Sequence, residues 1–312
     1  MERLWSTETN ITMREALEPV VPIVVRLTHL GDGALLIVLA VLIYWFGART
    51  NRRDRAFVIA IGVAALALSV GLKGIFQLPR PVLAFTPVGY PGYTFPSAHA
   101  TGAAAFYGAL AVTMRTGTRL HRYLIAGGVI GVVALSRVVL GVHFFGDVVV
   151  GVLLGLGLVW LGLRWRQEGE FAPGVIFSLA AGIALVSAVL GSPAYLTIAL
   201  GAALGGAVGW SLIENRTQSE RGAAILVTGA ALLVGLLAAR VVFIWLGSIV
   251  PGAAPDPGVL VLETLTYAVL TGLVLAVPVL ATTIEQHPIV ASIERWFPFQ
   301  GRQLELEEPV RS

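Results

Sequence analysis

The chain has 312 residues, 56% of them hydrophobic and 12% charged, with a net charge of +3 and a mean hydropathy of +0.84. Soluble domains carry about a quarter charged residues, so this composition excludes an ordinary water-soluble globule and indicates an integral membrane protein. The lack of cysteine excludes disulfides and thiolate metal centres, and a basic excess spread over short loops gives no footprint for nucleic acid.

Residues 1–30 read as an N-terminal segment outside or in the interface. Residues 1–16 are polar and lack the apolar run of a cleavable signal, while residues 18–29 are apolar around Arg26 and suit either a span or an interfacial helix. Apolar runs follow near residues 33–47, 56–78, 98–115, 123–142, 144–163, 172–190, 193–212, 222–249 and 259–284, most of them close to the roughly 20 residues that cross a bilayer. The expected fold is all-α, a polytopic membrane bundle of about nine transmembrane helices.

Loops with Arg49, Arg52, Arg53 and Arg55, with Arg115, Arg119 and Arg122, with Arg164 and Arg166, and with Arg216 and Arg221 alternate with loops poor in arginine. The positive-inside rule makes the first set cytoplasmic. It puts the segments around Arg80 to His99, His143 and residues 251–257 on the extracytoplasmic face of the cell membrane.

A polar stretch, residues 164–170, separates a motif-bearing core (31–170) from an accessory region of four spans (171–285), which a cytoplasmic tail (286–312) follows. The accessory region is rich in small residues, including Gly182, Gly201, Gly205, Gly206 and Gly209, which suits helix packing or a homo-oligomer contact. Within it, Arg240 and Glu263 are expected to pair. In the tail, Trp296, Phe297 and Phe299 read as an interfacial anchor ahead of acidic Glu305, Glu307 and Glu308.

Three strings in the core put fixed charges into the oily sequence, where such groups are costly and mark function. In the first, Lys73 and Gln77 are one helical turn apart, and Pro79 and Pro81 then hold Arg80 in extended backbone. A point charge and a planar fork on one side of the membrane suit phosphoryl oxygens. In the second, Pro96-Ser97-Ala98-His99 opens a helix. That is an ordinary capping signal, and equally an anion site built from the first N–H groups and the Ser97 hydroxyl, with His99 beside it. In the third, Ser136-Arg137 precedes His143 by the length of a turn, and Asp147 at i+4 is placed to orient the imidazole for attack. His29, His121 and His287 read as solvated loop residues.

In order and spacing these strings resemble the type-2 phosphatidic acid phosphatase superfamily, whose pattern is Lys-x6-Arg-Pro, Pro-Ser-Gly-His and Ser-Arg-x5-His-x3-Asp. The one departure is Ala98 in place of glycine. The resemblance spans about residues 60–160. It implies a membrane lipid phosphatase acting on a monoester or diphosphate, such as a phosphatidic-acid-like lipid or a polyprenyl diphosphate, through a phosphohistidine. In that reading His143 is the nucleophile, Asp147 its orienter and His99 the acid and then base, while Lys73, Arg80, Ser97, Ser136 and Arg137 hold phosphate. It implies no metal and no cofactor, and no carboxylate cluster near the motifs could hold Mg²⁺. The family's six-helix core requires the segment before the first span to be helical as well. A transporter or lipid-translocating protein is the alternative reading, which predicts matching interrupted helices in both halves. A haloperoxidase would share the pocket but needs vanadate.

Overall fold

The computed structural model describes residues 2–47, 51–83, 85–86, 92–166, 171–190, 195–249 and 257–296, with side chains described except at 2, 3, 236–249 and 257. No strand occurs among the described residues. The N-terminal segment forms α1 (Thr7–Ala16) and α2 (Val21–Leu27), then a 3-10 turn, Thr28–Gly31. Next come α3 (Gly33–Phe46), α4 (Arg52–Phe76), α5 (Ala98–Thr113), α6 (Arg119–Val139) and α7 (Phe145–Arg164). The second half holds α8 (Pro173–Leu190), α9 (Leu196–Ile213), α10 (Gly222–Ile249) and α11 (Pro257–Leu280), and α12 (Pro288–Trp296) lies in the tail.

The helices begin where the sequence supplies a cap. Asn51, Ser97 and Thr118 each accept from a backbone N–H in the first turn of α4, α5 and α6, satisfying donors that a helix start leaves open. Gln77 closes α4 in the left-handed region (φ 47), and the prolines after it prevent continuation.

The nine apolar runs coincide with α3 to α11. Length and apolarity qualify six helices as membrane spans, α4, α6, α7, α8, α9 and α11 with the turn after it, and a seventh if residues 18–46, bent by 52° at Asp32, count as one. The chain is thus a multi-pass membrane protein, with six or seven clear spans among the described residues. The 16-residue α5 falls outside this set for a physical reason. It sits among α4, α6 and α7, and its Ala100, Ala103, Ala104, Ala105 and Ala109 are wholly enclosed by helices, so it needs little hydropathy of its own.

One apolar cluster runs from α4, α5 and α7 through Phe171 into α8, α9 and α11. On α9, a Cβ at Gly201 or Gly205 would come within 2.4 Å or 2.0 Å of α11 carbonyl oxygens, the close backbone approach expected of small residues in lipid. Glu263 accepts from Thr197 at 3.2 Å. Its expected partner Arg240 lies outside the residues with described side chains, as Phe297, Phe299, Glu305, Glu307 and Glu308 lie outside the described residues altogether. The N-terminal segment is helical and packed: α1 and α2 lie on α6, and the turn before α1 on α7.

The α5–α7 contact sets where His99 and Asp147 begin their helices. A Cβ at Gly155 would stand 2.5 Å from Thr101 O and 2.7 Å from Ala104 Cβ, whereas at Gly157 it would meet nothing within 4 Å. Gly155→Val is expected to destabilise by about 1–3 kcal/mol through overpacking, lowering the thermal midpoint in detergent together with activity, while Gly157→Ala leaves both unchanged.

Candidate active site

The three strings are brought to one end of the bundle, at the close of α4 and α6 and the start of α5 and α7. In the connection between α6 and α7, Gly141 takes a positive φ (69), and a side chain there would strike Phe85 and Thr86 at 2.8 Å. That turn aims His143 inward, where it is 2% exposed.

His143 Nδ1 lies 3.1 Å from Thr94 Oγ1, and Thr94 donates its hydroxyl hydrogen to Asp147 Oδ2. The hydroxyl therefore accepts from Nδ1–H, and the carboxylate acts on the ring through Thr94, its direct distance being 3.6 Å. The i+4 spacing predicts that Asp147 orients the imidazole, and the structure places Thr94 between the two side chains. The tautomer so fixed leaves Nε2 with its lone pair, 3.2 Å from Arg80 Nη1. Burial pushes the His143 pKa below the ordinary histidine range, Arg80, Lys73 and Arg137 push the same way and Asp147 opposes. The ring is thereby held neutral, the form able to attack an electrophile.

Asp147 is fully buried. Its carboxylate also accepts from Phe144 N at 2.9 Å and Trp5 Nε1 at 3.2 Å, and its carbonyl accepts from Ser97 N at 3.1 Å.

Around His143 stand the cations. Arg80 donates to Val142 O at 2.7 Å and Gly92 O at 3.1 Å, and Lys73 donates to the carbonyls of Tyr93 and Thr94 at 2.5 and 3.2 Å. Arg137 and Ser136 both reach Thr28 Oγ1 at 2.8 Å. Lys73, Arg80 and Arg137 all act electrostatically on His143, and Arg80 and Arg137 on His99. Ser97 is enclosed and caps α5, its hydroxyl 3.5 Å from Ala100 N. His99 places Nε2 2.8 Å from Asp32 Oδ1. Among the described residues no group of three His, Cys, Asp or Glu is arranged to hold a metal ion.

Sequence reasoning missed Thr94, Trp5, Asn10, Thr28 and Asp32. Asn10 donates to Val138 O and His143 O at 2.8 and 2.9 Å, reaching across 128 and 133 residues. His29 is exposed as expected, yet it is bound to Asp32 at 2.6 Å. His121 lies in the first turn of α6 and His287 just before α12. The local signal that could have found Asp32 is an acidic residue at the start of the first apolar run.

The motif-bearing part of the chain is similar in sequence to known proteins. Residues 55–170 match the family model of the PAP2 superfamily. Phosphatidylglycerophosphatase B of Bacillus subtilis (strain 168) is 35% identical over 144 residues, 43% of this chain and 70% of that protein. Decaprenylphosphoryl-5-phosphoribose phosphatase of Mycobacterium tuberculosis (strain H37Rv) is 33% identical over 132 residues, 41% of this chain and 71% of that protein. The crystal structure of a transmembrane PAP2 type phosphatidylglycerolphosphate phosphatase from Bacillus subtilis is 27% identical, covering 52% of this chain and 88% of that one with a TM-score of 0.44. With the family model on its core, and a relative 35% identical of which it covers more than two thirds, the chain belongs to the PAP2 (type-2 phosphatidic acid phosphatase) superfamily and is a phosphatase.

Proposed function

We propose that the protein removes phosphate from a lipid phosphate through a phosphohistidine on His143 Nε2. The observation that carries this reading is the single-file arrangement of Asp147, Thr94, His143 and Arg80, which leaves one imidazole nitrogen with a lone pair among cations. The phosphoryl oxygens take the place of the carbonyls that Lys73 and Arg80 now meet, with Arg137, Ser136 and Ser97 completing the cradle. His143 Nε2 attacks phosphorus, the bond to the leaving oxygen breaks, and His99 gives that oxygen a proton. The charge that appears on the ring is offset by Asp147 through Thr94. His99 then takes a proton from water, the resulting hydroxide attacks phosphorus, and the P–N bond breaks. In sum one ester and one water become one alcohol and one phosphate.

A lipid substrate is supported by the rim beside the site, where Ile75, Phe76, Leu78, Val82 and Tyr93 are exposed. Apolar side chains displayed beside a cluster of cations match a molecule with an acyl or prenyl body and an anionic head. The names of the two relatives, both phosphatases of lipid phosphates, agree with that class, and the particular lipid follows from neither. We further propose that α3, α5 and α10 also cross the bilayer, giving nine spans. In this reading residues 31–170 form the catalytic unit, residues 171–285 brace it, and the arginine-rich ends of the helices opposite the site face the cytoplasm.

The chemistry is tested by rapid acid quench after brief reaction with an activated aryl phosphate in EDTA. Phosphate should be trapped on the wild type. With His143→Ala it should be absent and turnover should fall by more than about 10³-fold. Thr94→Val, which cuts the link from Asp147 to the ring, should slow trapping by about 10- to 100-fold, the equivalent of 1–3 kcal/mol for a broken buried hydrogen bond. Wild-type trapping in His143→Ala, or activity that disappears with chelator, contradicts the mechanism. Sidedness is tested on a chain that has no native cysteine. Val82→Cys, at a position 92% exposed, should react with an impermeant maleimide in intact cells, and Arg115→Cys should react only after permeabilisation.

A further inference from the structure

Asp32 occupies the N-cap position of α3, where an aspartate ordinarily accepts from the first backbone N–H groups of its helix. It makes no such bond. Its two oxygens go instead to two histidines: Oδ1 to His99 Nε2 at 2.8 Å and Oδ2 to His29 Nδ1 at 2.6 Å. A carboxylate diverted from its local use to a residue 67 positions away calls for an explanation beyond helix capping.

The geometry is held from several sides. Tyr107 on α5 donates to Leu30 O at 2.9 Å. Gly31 packs so closely on α5 that a Cβ there would come 3.4 Å from His99 O and 2.5 Å from Val133 on α6. Thr28 in the same turn takes the side chains of Ser136 and Arg137. The turn that presents Asp32 is thus locked to the helices that present the other site residues.

We infer that Asp32 is the positioning residue of His99, forming with it a second carboxylate–histidine pair that serves the leaving group as Asp147 and Thr94 serve the nucleophile. The inference rests on the reading of His99 as acid and base. Bonded to Oδ1 through Nε2–H, the ring keeps one orientation and one tautomer and leaves Nδ1 to exchange protons with the substrate. The imidazolium gives its Nδ1 proton to the leaving oxygen, becoming the neutral Nε2–H form. The same Nδ1 then takes a proton from the attacking water. Arg137 and Arg80 both act on His99, so the imidazolium would otherwise face two guanidiniums with no counter-charge. Asp32 supplies that charge from a segment of the chain that precedes the matched core.

The test uses the full-length protein in detergent with EDTA and two substrates, dioleoyl phosphatidic acid with its poor alkyl leaving group and p-nitrophenyl phosphate with its good aryl one. Asp32→Asn and Asp32→Ser both remove the carboxylate and keep a residue able to cap α3, so if one fails to fold the other carries the measurement. Either should lower kcat/KM on phosphatidic acid by about 10- to 100-fold, a part of the 10²- to 10⁴-fold a general acid supplies, and on p-nitrophenyl phosphate by less than about threefold. Added to His99→Ala, Asp32→Asn should cost nothing further, because its effect runs through His99. An equal loss on both substrates from the Asp32 variants, or an additional loss in the His99→Ala background, overturns the inference while leaving His99 as the acid. If His99→Ala itself loses equally on both substrates, the assignment of His99 fails and this inference with it.

Discussion

The enclosed carboxylate of Asp147 is the contact on which the rest of the site depends. A charge buried among apolar helices is tolerable only when its lone pairs are taken, and Asp147 recruits its donors from three separate parts of the chain. Thr94 comes from the connection between α4 and α5, Phe144 N from the connection before α7, and Trp5 from the N-terminal turn. Its own carbonyl receives Ser97 N, at the cap of α5. Removing the charge would loosen Thr94 beside His143, the start of α7 and the Trp5 contact together, because each is bonded to the same carboxylate.

That concentration explains which parts of the site were legible in the sequence. His143 and Asp147 are four residues apart, although the structure places His143 in the turn before α7 and only Asp147 on the helix, and Lys73, Arg80, Ser97, His99 and Arg137 sit at or just beyond helix ends marked by prolines, a cap and a glycine turn, so short-range patterns suffice to find them. Trp5, Asn10, Thr28 and Asp32 reach their partners across 142, 133, 109 and 67 residues. No periodicity encodes such a meeting. Thr94 was missed for a different reason: it lies two residues before a recognised string, and a lone threonine in a loop has no chemistry until a carboxylate and an imidazole are placed on either side of it. The apolar runs were legible as helices, α5 among them, although a helix lined by alanine and enclosed by neighbours displays less hydropathy than a lipid-facing one.

The helices of the second half reach the motif-bearing half through α4. Its C-terminal end carries Lys73, and α8 packs along it, Gly71 meeting Ser187 so closely that a Cβ would lie 2.2 Å from the hydroxyl oxygen. At the other end Arg52 donates to the carbonyls of Ile213 and Arg216 and lies over Trp210 at 5.2 Å. Both ends of the helix that delivers the lysine are therefore gripped by the second half. The glycines of α9 then transfer that grip to α11 by bringing backbones together where side chains would hold them apart.

The polar cluster and the apolar rim meet at one boundary, and their juxtaposition accounts for how such a site can serve a substrate with two opposite solubilities. Lys73 turns inward to the carbonyls of Tyr93 and Thr94, while three residues on, Phe76 stacks edge-on against Phe95 at 5.1 Å and stays half exposed. One turn of α4 thus contributes a cation to the polar cluster and an aromatic face to the apolar rim. A water-soluble ester would gain nothing from the second of these, whereas a lipid held at the membrane surface can leave its chains against the rim and reach the cations with its head alone. In the proposed reading the hydrophobic part of the substrate supplies binding without touching the reacting atoms, and the cations, Thr94 and the two histidines act on phosphorus, where differences between ground state and transition state arise.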